Sequence, residues 1–87
     1  MSRRVMRTYK IAKVEWEDIS GYSTWRDRED MAKCRPLNCV SVGTLVNVAK
    51  GNVGLSLSIS ENGDGSGATV IPKKNIRNMK IIGSYRI

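Results

Sequence analysis

Along residues 10–17, Ala12, Val14 and Trp16 alternate with Lys13, Glu15 and Glu17. A two-residue period of this kind predicts a strand with one buried face. Residues 39–48 form the strongest apolar run, and Gly43 in its middle marks a bulge or a sharp bend. Lys50, Gly51 and Asn52 carry a tight turn. Beyond it Val53, Leu55, Leu57 and Ile59 alternate with Gly54, Ser56, Ser58 and Ser60, which predicts a hairpin. Residues 61–67 contain three glycines and no apolar side chain and read as a mobile hairpin tip. Residues 69–71 resume the strand, residues 72–76 fit one turn of 3₁₀ helix, and residues 79–82 make the last strand. Between the first two strands, residues 18–24 read as a loop. Asp27 is placed to cap a short helical turn over residues 28–33, and Pro36 prevents any continuation. The alternation predicts a core of Val14, Trp16, Val42, Leu45, Val48, Leu55, Leu57, Ile59, Val70, Ile76 and Ile81.

The chain is therefore read as mostly β, with residues 1–8 a basic, flexible extension and residues 9–87 one domain. The element order resembles the small five-stranded SH3-like barrel, in which a 3₁₀ turn precedes the closing strand. That resemblance implies that the first and last strands are neighbours. The acidic, tyrosine-rich groove of signalling SH3 domains is absent, so proline-peptide binding is not carried over.

Eighty-seven residues leave a small core, and domains of this size commonly gain stability from a metal, disulfides or self-association. The chain has no histidine and only Cys34 and Cys39, too few ligands for a zinc site. A Cys34–Cys39 disulfide would close a very short loop and add little, so both are read as ordinary thiols. Self-association remains, and a homo-oligomer is expected. No apolar run reaches the length of a membrane helix, and the basic N-terminus lacks the apolar stretch of a secretory signal. A cytoplasmic protein without a membrane partner is the expectation.

Without histidine there is no Ser–His or Cys–His nucleophile pair. Glu15, Glu17 and Asp18 read as a solvated strand edge rather than an acid–base pair, and residues 61–67 lack the ligand spacing of a calcium loop. Binding rather than catalysis is expected, with no cofactor and no metal. The formal net charge is +7. Residues 3–13 hold Arg3, Arg4, Arg7, Lys10 and Lys13, and residues 73–86 hold Lys73, Lys74, Arg77, Lys80 and Arg86, with no acid in either run. Adjacent first and last strands would merge these runs into one basic surface, which points to an anionic ligand.

Trp16 is in phase with the apolar face and belongs to the core. Tyr22 and Trp25 sit in a polar loop beside Arg26 and Arg28, where a ring can stack on a base while a cation meets phosphate. Trp25 folded back as a lid on the barrel is the competing reading. Lys73 and Lys74, on the turn before the last strand, complete a candidate phosphate clamp.

Trp16-x-Asp18, Trp25, Ser41-Val42-Gly43 and Ile71-Pro72 with Ile76 together resemble a widespread group of small bacteriophage accessory proteins. The resemblance spans about residues 14–82 and departs after Gly43, where a bulkier residue than Thr44 is expected. It implies a counter-defence role in the host cytoplasm, as a "sponge" that sequesters a cyclic nucleotide immune signal. A nucleic-acid-binding barrel and a structural or protein-interaction subunit of a phage are the alternatives.

Overall fold

The computed structural model describes residues 6–18, 28–29 and 35–87. Among the described residues seven strands follow one another: β1 (Thr8–Asp18), β2 (Leu37–Val46), β3 (Asn52–Ser56), β4 (Ser58–Ile59), β5 (Gly65–Ser66), β6 (Thr69–Pro72) and β7 (Ile76–Arg86). A 3₁₀ turn over Lys73–Asn75 joins the last two. Five strands form one antiparallel sheet in the order β6-β3-β2-β1-β7, and β4 pairs with β5 separately. First and last strands are adjacent, as the SH3-like order requires. No pairing joins β6 to β7, so the sheet is open and does not close into a barrel. The helical turn expected over residues 28–33 lies largely outside the described residues, as do Cys34 and most of the N-terminal extension.

The core follows from the phase of β1. Ala12 and Val14 are fully buried and pack with Val53, Leu55 and Ile71, while Trp16, Leu45 and Ile76 close around them half-buried. Trp16 also donates its Nε1–H to Ser41 Oγ at 3.0 Å, satisfying the indole where it leaves the core. For Ala12 and Val14 to reach β3 and β6, the sheet must fold sharply, and Gly43 permits it. A Cβ there would stand 3.0 Å from the Ser56 carbonyl oxygen and 3.1 Å from Leu55 Cβ. The glycine is thus a bend without a bulge, because the β1–β2 register runs unbroken through it.

The 3₁₀ turn holds the curled sheet from the other side. The Lys73 N–H donates to the Gly51 carbonyl at 2.9 Å, and Asn75 Nδ2 donates to the Glu17 carbonyl at 3.2 Å. One short turn therefore ties the β2–β3 turn to the far end of β1.

Four expected core residues lie on the surface: Val42 is 55% exposed, Leu57 79%, Val70 54% and Ile81 45%. Val42 faces outward because Gly43 and Leu45 set the inward phase of β2. Val70 lies opposite Gly54 on the outer face, leaving Ile71 to point inward opposite Val53. Ile81 faces inward opposite Ala12, but β7 is an edge strand and, among the described residues, no further strand lies beside it. Leu57 is lost to the core because β3 stops at Ser56 and the chain turns into β4.

The buried Ser56 causes that turn. Its hydroxyl lies 2.8 Å from the Ser58 carbonyl oxygen and 3.0 Å from that of Ser66, and Leu57 N–H donates to Ser66 O at 3.0 Å. The glycine-rich segment read as mobile is an ordered hairpin. Ser60 N–H donates to Asp64 O at 2.8 Å, and Gly63 and Gly67 take positive φ of 87° and 65°. β7 is much longer than the four residues expected, spanning eleven and pairing with β1 from Arg86 to Ile76.

Candidate functional site

Of the residues expected to bind a ligand, Tyr22, Trp25 and Arg26 lie outside the described residues. Arg28, Lys73 and Lys74 are all exposed. The turn carrying Lys73 and Lys74 is fastened beside Glu17, near the end of β1. It is equally fastened to Gly51, so Lys50 joins the same end of the sheet as Lys73 and Lys74. Lys50 was missed because nothing in sequence spacing relates the β2–β3 turn to the 3₁₀ turn.

The basic termini do meet. Arg7 and Ile87 exchange backbone hydrogen bonds of 2.9 and 3.1 Å, Thr8 pairs with Arg86, and Lys13 pairs with Lys80. Carboxylates temper this surface: Lys13 Nζ lies 3.9 Å from Glu15 Oε1, and Arg77 pairs with Glu17. Both pairs are at the surface and contribute little to stability. They do lower the net positive charge of the β1–β7 ladder, one in its middle and one at its Glu17 end, leaving Arg7, Lys10 and Arg86 at its open end.

At that open end lies a cavity of about 520 Å³, lined by Arg7 and Tyr9 around the start of β1, Val46, Asn47 and Val48 around the end of β2, and Ser56, Gly63 and Gly65. Its size falls within the range of small-molecule sites. Tyr9 is held in place by neighbours. Its ring stacks on Tyr85 with centroids 5.7 Å apart and planes at 27°, and the Tyr85 hydroxyl hydrogen-bonds the buried Thr44 hydroxyl at 2.6 Å. The hairpin tip closes over the tyrosine, since a Cβ on Gly63 would stand 3.6 Å from the Tyr9 hydroxyl. Val46 and Val48 supply an apolar wall, and Arg7 supplies a guanidinium.

Sequence reasoning missed this site because Tyr9 precedes the periodic strand, and the glycines read as a mobile hairpin tip rather than as a wall. The available signal was the pair Arg7 and Tyr9 at a strand start, with Tyr85 near the end of its predicted neighbour. Among the described residues no group of His, Cys, Asp and Glu could hold a metal ion, and no helix is long and apolar enough to cross a membrane. Comparison with protein-family models, curated proteins and solved structures found no match for this chain.

Proposed function

We propose that this chain is a non-enzymatic binding protein for a small phosphorylated ligand of nucleotide type. The cavity carries this reading: a guanidinium, a backed aromatic ring and an apolar wall meet in one space of about 520 Å³. The ligand's phosphate lies on Arg7 and its base against Tyr9 and Val48. Base stacking of this kind is worth about 1–3 kcal/mol. The resemblance to phage accessory proteins supports the most specific form of the proposal, sequestration of a cyclic nucleotide immune signal. The strand order and the 3₁₀ turn support an SH3-like architecture, opened between β6 and β7.

Thermal-shift and calorimetric titration with cyclic dinucleotides, mononucleotides and inorganic phosphate test the proposal. A ligand at a hundred times its Kd adds about 2.7 kcal/mol to stability. Tyr9→Ala and Arg7→Gln should each weaken binding by about ten- to a hundredfold. Trp25→Ala and the double change Lys73→Gln with Lys74→Gln are the contrasting variants. If those abolish binding while the Arg7 and Tyr9 variants bind normally, the site belongs to the first loop and the 3₁₀ turn instead.

A second reading, nucleic-acid binding, is favoured by the β1–β7 ladder, which sets Lys10, Lys13, Lys80 and Arg86 along two adjacent eleven-residue strands. A polyanion on that track would bind with a steep salt dependence, with log K falling by about 0.7–0.9 per phosphate neutralised for each tenfold rise in salt. A pocketed nucleotide meeting one guanidinium would show a far shallower slope.

A further inference from the structure

β3 stops opposite Thr44, so β2 has a strand partner on that side only at Thr44, Leu45 and Val46. Residues 37–43 pair with β1 and, among the described residues, have no partner on their other edge. In an antiparallel ladder every second residue turns its N–H and C=O away from the existing partner, so this stretch offers an unfilled ladder. Exposed apolar side chains surround it: Leu37 and Val40 are more than 60% exposed, Val42 lies beside them, and Leu57 is 79% exposed. Leu57 is not loose. Its backbone is bonded to Ser66, and Gly67, at positive φ, comes so close that a Cβ there would stand 2.9 Å from Leu57 Cβ. Between Leu57, Val42 and Thr69 lies a notch of about 220 Å³, enough for an apolar side chain.

We propose that this edge pairs with the same edge of a second copy of the chain, β2 to β2, across a two-fold axis at Val40. The charge pattern selects this occupant. In a chain of net charge +7, residues 36–49 carry no charged side chain at all. A symmetric pair sets the whole edge against an identical edge, and an edge without charged side chains brings no like charges to face each other across it. The long β7 edge is disfavoured for self-pairing by the same rule, because it carries Arg77, Lys80 and Arg86 and no acid, so two such edges would set positive charge against positive charge. The unpaired stretch of residues 37–43 has Val40 at its centre. Antiparallel pairing about it sets Val40 against Val40 and Val42 against Asn38 of the second copy. The two five-stranded sheets then join into one, and Val40, Val42 and Leu57 gain cover. The inference is independent of the nucleotide reading, since the cavity at Arg7 and Tyr9 lies at the other end of β2.

Sedimentation velocity at ten to a hundred micromolar tests it. The expected species is a dimer of twice the 9.7 kDa chain mass. Val40→Lys sets two like charges together at the axis and should convert the protein to monomer with its thermal melt still cooperative. Lys80→Glu, on β7, should leave the dimer intact. A monomeric unmodified protein throughout that range overturns the proposal. So does a dimer that survives Val40→Lys, or one that Lys80→Glu dissolves.

Discussion

Ile71 and Leu57 both continue apolar alternations of the second half of the chain, yet the fold treats them oppositely. Ile71 is fully buried in the five-residue cluster with Ala12, Val14, Val53 and Leu55. Leu57 is 79% exposed at the bend after β3. Truncating a buried isoleucine to alanine costs about 2–5 kcal/mol. At about 0.05–0.15 kcal/mol per residue, a chain of 87 residues has roughly 4–13 kcal/mol to lose. Ile71→Ala should therefore remove a large share of the stability, whereas Leu57→Ala should stay within about 0.5 kcal/mol. Urea unfolding followed by circular dichroism measures both. With a slope near 1 kcal/mol/M for so small a domain, the midpoint for Ile71→Ala should fall by about 2 M or more at unchanged slope. Both changes are made in a Val40→Lys background, so that association does not enter the comparison. A loss above about 2 kcal/mol for Leu57→Ala, or below about 1 kcal/mol for Ile71→Ala, would refute the break of strand phase at Ser56.

Gly54→Ala should cost about 1–3 kcal/mol in the same assay, because a Cβ there would stand 2.4 Å from Val48 Cγ1 and 3.0 Å from Val46 Cγ2. The matching Gly51→Ala change meets no atom within 4 Å, and its cost arises only from the positive φ of 86°. Tyr85→Phe leaves the buried Thr44 hydroxyl without its 2.6 Å partner and should cost about 1–3 kcal/mol. It should also loosen the stacked Tyr9 and so weaken nucleotide binding in the titration above. Replacing Arg77 by Gln breaks its surface pair with Glu17 and should change stability by no more than about 1 kcal/mol.

Local chemistry sufficed for much of this fold. The alternation around Val14 marks a half-buried strand whatever its neighbours are, because the period of two is a property of the extended backbone. Lys50, Gly51 and Asn52 announce the β2–β3 turn, Pro72 the 3₁₀ turn, and Gly43 the bend, each through its own steric limits. The charge runs at the two ends predicted a shared basic surface, and the β1–β7 pairing brings them together. Which apolar residues are covered was not local. Val42, Val70 and Ile81 have the composition of core residues but depend on which strand lies beside them and on which face the curled sheet encloses. Leu57 depends on Ser56, whose single hydroxyl turns the chain by reaching Ser58 and Ser66. The cavity is decided later still. Tyr9, Val48, Ser56 and Gly63 are scattered along the chain, and only the fold-back of the β4–β5 hairpin over the β1–β7 ladder makes them one surface. A strand's period is written in neighbouring residues. A site's shape is written in contacts between distant ones, which the backbone alone cannot rank before it closes.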